Sequence, residues 1–177
     1  AGTTIATFEA VLGDRTPIVR TMPNTPAMVG RGITAICRNG HVSDADFALS
    51  RDLMAAVGQV VDLSGEHQID AVTALSGSGP AYVFYFLEAM TEAGVGMGLS
   101  SEQAYKLAVA TFSGAASLAA ASTESPEVLR QRVTSKGGTT YAAITAMEAS
   151  GVKPLFIQAM QAAEVRAREL GDEFGKA

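Results

Sequence analysis

Gln59-Val60-Val61-Asp62-Leu63 is the last stretch of the chain with the β-branched, compact look of a strand, and its position decides the fold. Upstream lie two similar stretches, Pro17-Ile-Val-Arg-Thr-Met22 and Ile33-Thr-Ala-Ile-Cys-Arg38. The connection between them, 22–32, carries Pro23, Pro26, Gly30 and Gly32 and is expected to be a shaped loop. Thr3 or Thr4 is expected to cap a helix with Ile5, Phe8, Val11 and Leu12 on one face, stopped by a left-handed Gly13. Ser43 with Asp46 resembles a capping box, opening a helix through Phe47, Ser50, Met54 and Val57 to Gly58. Helix, strand, strand, helix, strand is the tail of an α/β layer. Three strands are few for a two-sided sheet, so further chain is expected before Ala1.

Downstream of Leu63 no β run follows. Turn residues divide the remainder into helical blocks near 66–76, 80–95, 101–122, 126–134, 140–150 and 154–170. Ser100 and the Ser125-Pro126 pair are helix starts, and Gly151 and Gly171 are expected stops. The 80–95 block is apolar nearly all round (Tyr82, Val83, Phe84, Tyr85, Phe86, Leu87, Met90), and the 101–122 block is rich in Ala with Gly114. Both are expected to be deeply buried. A lone domain would leave one face of such a helix in water, so residues 64–177 are expected to form an obligate homodimer.

The 177 residues carry 13 Lys plus Arg against 18 Asp plus Glu, a net charge of −5, with no basic cluster. Nucleic acid and an anionic membrane surface are therefore excluded as expected partners. The longest uncharged runs, 71–87 and 107–123, are each 17 residues and interrupted by Gly, Ser or Ala, short of the ~20 apolar residues of a membrane span. One cysteine, Cys37, and two histidines, His41 and His67, offer neither a disulfide nor a metal set, so no metal is expected and a reducing cytoplasm fits. Gly77-Ser-Gly79-Pro-Ala-Tyr82 begins like a dinucleotide fingerprint, but a helix precedes it and Tyr82 stands at the third Gly position. It is read as a tight break between two helices. Gly94-Val-Gly96-Met-Gly98 is read as a helix stop and turn.

Two segments carry chemistry. In Ser135-Lys136-Gly137-Gly138-Thr139-Thr140, two glycines permit close approach at the mouth of a helix, where unpaired N–H groups suit a carboxylate and three hydroxyls add orientable donors. An ordinary Gly-Gly turn capped by threonine accounts for the same residues. In Met22-Pro23-Asn24-Thr25-Pro26, two prolines fix a loop after a strand, the place where ligands bind in open α/β sheets; a rigid turn is the alternative.

Pro126-Glu-Val-Leu129, Val133-Thr-Ser-Lys-Gly-Gly-Thr-Thr140, Ala143-Ile144 and Met147-Glu148 resemble the signature of the pyrroline-5-carboxylate reductases. The segments 70–82, 20–26 and 166–170 reinforce the resemblance, which runs over essentially the whole chain. It implies an α/β remnant, the last strands and helices of a Rossmann domain (1–63), followed by an all-α helical substrate-binding and dimerisation domain (64–177). The implied reaction is NAD(P)H-dependent reduction of 1-pyrroline-5-carboxylate, a cyclic imine carboxylate, to L-proline. The implied assembly is a homodimer, in many members a ring of dimers. Ser135, Gly137, Gly138 and Thr139 would hold the substrate carboxylate. Thr140 would face the ring nitrogen as the catalytic residue, and Met22, Pro23, Asn24 and Thr25 would line the nicotinamide of NADPH or NADH. The Ser76–Pro80 break would lie between cofactor and substrate. No G-x-G-x-x-G follows a strand anywhere in the sequence, so the isolated chain is expected to be an incomplete, inactive form.

Two other functions fit parts of the pattern. A β-hydroxyacid dehydrogenase has a similar layout but uses a helix-borne Lys with an Asn four residues later; the only asparagines here, Asn24 and Asn39, follow no lysine in that way. A non-catalytic helical dimerisation domain would need the Gly-Gly turn only as a helix junction.

Overall fold

In the computed structural model, residues 2–174 are described. They form two compact units, one of 2–82 with 157–174 and one of 83–156. The strands are β1 (Val19–Met22), β2 (Gly32–Arg38) and β3 (Gly58–Asp62), in sheet order β1-β2-β3. β1 pairs antiparallel to β2, with Val19 opposite Arg38 and Met22 opposite Ala35, while β2 pairs parallel to β3, with Gly32 opposite Gly58 and Ile36 opposite Asp62. A parallel pair needs a crossover, supplied by α2 (Asp44–Ala55). At Gly58 φ is +153°, and a Cβ there would lie 2.0 Å from the Gly32 carbonyl oxygen, so only glycine lets β3 start beside β2.

The central strand β2 is the most buried, and Ile36, Thr34 and Cys37 are enclosed. Ile5 of α1 (Ile5–Leu12), Ile18, Cys37 and Ile69 of α3 (Ile69–Val72) form the core cluster, with Met22 and Leu63 packed on it. Two polar clamps hold this unit. The Asn39 amide accepts from the N–H groups of Ile18 and His41 and donates to Glu9 Oε1 and the Thr16 carbonyl, satisfying both ends. Glu66 Oε1 accepts from the Ile5 N–H at 2.6 Å and from Arg20 Nη1 at 2.5 Å. Burial pushes the Cys37 thiol pKa up; the nearby Glu66 charge adds to this and Arg20 opposes it.

In the second unit, α4 (Gly79–Gly96) meets α5 (Ser101–Ala121) at buried Gly94, where a Cβ would lie 2.8 Å from the Ala104 Cβ. Ser100 and Gln103 make a complete capping box for α5. Phe86 packs edge-on against Phe156 at 5.6 Å, and Arg132–Glu124 and Arg130–Glu148 pair across the ends of α6 (Pro126–Arg132) and α7 (Thr139–Ala149).

Most expected elements stand, with instructive differences. Thr4, not Thr3, caps α1, and Gly13 takes φ 100°, ψ 143°, outside the left-handed helical region. Ser43 accepts from the Asp46 N–H, which is half of a capping box. The α2 helix ends at Ala55, and the 22–32 connection contains a 3-10 helix, Thr25–Val29. Gly94 lies within α4, and the turn centres on Gly98, at φ 98°. Gly171 stops nothing: α8 (Val152–Phe174) runs through it, and Arg166, bonded to Glu169, also bonds Glu173 on its far side. The expected helix 66–76 is a composite of 3-10 helix Glu66–Gln68, α3 and a π-turn, Thr73–Gly77. Deep burial of α4 and α5 is not found within one chain: Phe84 is 58% exposed, Tyr85 69% and Leu107 56%. These three side chains point outward and are left uncovered by the described residues of the second unit, while Phe86 packs on Phe156.

Candidate functional site

The turn before α7 follows from local chemistry. The Val133 and Thr134 N–H groups bond carbonyls of the last turn of α6, which ends the helix. Gly137 then takes φ +77°, a conformation L side chains rarely adopt, and redirects the chain. The Gly138 N–H donates to the Ser135 carbonyl at 3.0 Å, so one of the three backbone donors expected for a carboxylate is used in closing the turn. A Cβ at Gly138 would lie 2.7 Å from Ser135 Oγ.

Helix α7 differs from the other capped helices. Gly138 is its N-cap and no side chain bonds its first turn; the first backbone bond is Ala142 N–H to the Gly138 carbonyl at 3.1 Å. The N–H groups of Thr139, Thr140 and Tyr141 thus lack protein acceptors among the described residues, at the positive end of the helix dipole. The hydroxyls of Ser135, Thr139 and Thr140 likewise make no hydrogen bond among the described residues; Ser135 and Thr139 are exposed and Thr140 half-buried. Lys136 is exposed and forms no ion pair among the described residues, while Arg130 and Arg132 are paired. The result is a concentration of unused donors and one unpaired cation, an arrangement able to take a carboxylate.

In the first unit the Met22–Thr25 loop meets the π-turn. Exposure alternates along it, with Pro23 and Thr25 outward and Met22 and Asn24 half-buried. A Cβ on Gly77 would lie 2.5 Å from Met22 Cε. Asn24 Oδ1 accepts from the Ile33 N–H at 3.0 Å, and its Nδ2 donates to the Ser76 carbonyl and hydroxyl at 3.4 and 3.3 Å. The two segments 22–25 and 76–77, read separately from sequence, are therefore one structure.

Only the missing donor in this arrangement has a signal in the sequence. An α-helical Ser76 carbonyl would accept from residue 80, which is proline and has no N–H. The chain adopts the π-turn instead, with Ser78 N–H bonding the Thr73 carbonyl at 2.8 Å, and the Tyr82 hydroxyl takes the Ala74 carbonyl at 3.0 Å. Among the described residues no group of three or more His, Cys, Asp or Glu could hold a metal, and no helix is long and apolar enough to cross a membrane. The lone cysteine is buried and His41 and His67 are exposed.

Comparison with known proteins gives one family. Residues 66–170 match the family described as pyrroline-5-carboxylate reductase dimerisation. The chain is 47% identical over 176 residues to the pyrroline-5-carboxylate reductase of Pseudomonas aeruginosa, covering 99% of this chain and 64% of that protein. It is 44% identical over 171 residues to that of Corynebacterium melassecola, covering 97% of this chain and 63% of the relative. It thus spans just under two thirds of the length of these curated relatives. Among solved structures, a pyrroline-5-carboxylate reductase from Coxiella burnetii superposes with a TM-score of 0.92 at 45% identity, covering 96% of this chain and 63% of that one. A Plasmodium falciparum pyrroline carboxylate reductase with NADP bound gives 0.90 at 32% identity, covering 96% and 68%.

Proposed function

The chain belongs to the pyrroline-5-carboxylate reductase family, and from that premise we propose that its residues serve the NAD(P)H-dependent reduction of 1-pyrroline-5-carboxylate to L-proline. The observation that carries the proposal is the start of α7, whose N–H groups and three hydroxyls have no partner among the described residues, in the segment that resembles the family signature. Residues 1–63 belong in this proposal to the cofactor-binding part and 64–177 to the substrate-binding and dimerising part. The family match over 66–170 supports that division.

The Gly137 and Thr139 N–H groups and the Ser135 hydroxyl hold the substrate carboxylate. Gly138 serves the same site by closing the turn and leaving room for Ser135. Lys136 adds a neighbouring positive charge. The half-buried Thr140 hydroxyl faces the ring nitrogen; as a weak acid it orients the imine and passes on a proton from water. NADPH or NADH, when bound, supplies a hydride to the imine carbon, and with the solvent proton on nitrogen the C=N bond becomes the C–N bond of proline. The Met22–Thr25 loop fits the nicotinamide end of such a cofactor, because Pro23, the flanking Pro26 and the bonded Asn24 make it a rigid ledge with Pro23 and Thr25 outward. Holding substrate and ring in place is the protein's share, which needs no His or Cys nucleophile.

A homodimer completes the proposal. The α4–α5 face holds an open cleft of about 400 Å³ lined by Phe84, Leu87, Glu88, Thr91, Glu92 and Tyr105, an apolar surface that a two-fold copy would cover.

The test is turnover in the complete protein carrying these residues: loss of NADPH absorbance on adding 1-pyrroline-5-carboxylate, with L-proline identified as product. Thr140→Ala should lower kcat/KM by roughly 10- to 10³-fold in a folded protein. No proline from a folded, NADPH-binding protein would refute the proposal, and unchanged kcat/KM in Thr140→Ala would remove that residue from the mechanism.

A further inference from the structure

We propose that Asn24 is a positioning residue, which holds the Met22–Thr25 ledge at its working height by bonding the carbonyl that Pro80 leaves without a helical partner. The inference rests on the function proposed above. Its grounds are geometric. Asn24 is the N-cap of the 3-10 helix Thr25–Val29, yet its side chain makes no cap bond there. Its amide instead spans two distant segments, accepting from Ile33 at the start of β2 and donating to Ser76 in the π-turn.

Each of these bonds answers a backbone need. Position 80 has no N–H to give, so the Ser76 carbonyl lacks the usual helical donor four residues on, and Asn24 Nδ2 supplies one in a half-buried place. With the oxygen and nitrogen of its amide both engaged inside the protein, Asn24 acts on a bound ring through the backbone it fixes. Pro23 and Thr25, its outward neighbours, are the residues left to meet the ring. Met22, the inward neighbour, touches Gly77 of the same π-turn and makes a second, apolar link.

Asn24→Asp separates this role from mere packing. It is nearly isosteric and keeps an acceptor for the Ile33 N–H, but puts an oxygen where Nδ2 donates to Ser76. In the complete protein, Asn24→Asp is expected to raise the KM for NADPH about 10-fold while the KM for the imine stays within about two-fold. The independent readout is a thermal-midpoint cycle. Pro80→Ala restores an N–H four residues after Ser76, so the midpoint lost on Asn24→Ala should be clearly smaller in the Pro80→Ala background. Asn24→Ser replaces Asn24→Ala in the cycle if the latter does not fold.

Wild-type kinetics in Asn24→Asp, proportional losses for both substrates, or an equal midpoint loss in the two backgrounds would each overturn the assignment. If the wild-type protein reduces no imine, the proposed function fails, whereas the midpoint cycle still decides whether Asn24 serves the Ser76 carbonyl.

Discussion

Ser135 and Gly138 close the turn before α7 upon each other: the Gly138 N–H donates to the Ser135 carbonyl at 3.0 Å, and Ser135 Oγ lies 2.7 Å from where a Cβ on residue 138 would stand. Gly138 has φ −81°, which alanine adopts freely, so Gly138→Ala alters the position of one hydroxyl more than the backbone. The variant should fold with a loss of about 1–2 kcal/mol and raise the KM for the imine roughly 10-fold, measured by steady-state kinetics. Gly137→Ala differs, since φ +77° costs an L residue about 1–2 kcal/mol in stability.

Glu66 joins α1 to β1. Its partner Arg20 has a side chain only 10% exposed. Glu66→Ala leaves that charge and the Ile5 N–H unpaired and should cost about 3–5 kcal/mol in denaturant unfolding. Glu66→Gln keeps an acceptor and should cost less.

Cys37 ties stability to alkaline pH. Burial, the largest cause, raises its pKa in the folded state, so between the unfolded thiol's value of about 8.5 and the higher folded value the native chain keeps a proton that the unfolded chain loses. Stability is therefore whole below the unfolded pKa and falls as pH rises above it. Denaturant midpoints should fall above about pH 8.5 in the wild type, less so in Cys37→Ala. Native protein should also resist thiol reagents that modify the unfolded chain rapidly.

Association should be legible in unfolding. With the α4–α5 face covered by a second copy, the thermal midpoint should rise with protein concentration, and sedimentation should show dimers or multiples of them. A folded monomer with a concentration-independent midpoint would contradict the proposed homodimer.

Much of the architecture could be read from the residues because it is local. Serine and threonine caps, the Pro26 loop and the end of β character after Leu63 each depend on a few neighbours in sequence. Four features escaped because their causes are distant or shared. Gly171 lies inside a long helix, spanned by the pair of Arg166 with Glu173, whose carboxyl pKa is lowered by the hydrogen bond from Arg166. The apolar run at 82–87 shows that those side chains seek cover but not that the cover lies outside the chain. In the candidate site, the α7 turn was readable from Gly-Gly and its hydroxyls, but the engagement of the Gly138 N–H was not. The bond between Asn24 and Ser76 joins residues 52 apart and answers a missing N–H at a third position, Pro80.

The most direct test of the proposed carboxylate site at the α7 turn compares two substrates in the complete protein, 1-pyrroline-5-carboxylate and 1-pyrroline, which lacks only the carboxylate. A site built on the α7 turn should favour the carboxylate by at least about 10²-fold in kcat/KM, since two or three charge-assisted hydrogen bonds are lost with it. Gly138→Ala should shrink that ratio. Equal kcat/KM for the two imines would show that the turn holds no carboxylate and would contradict the proposed site.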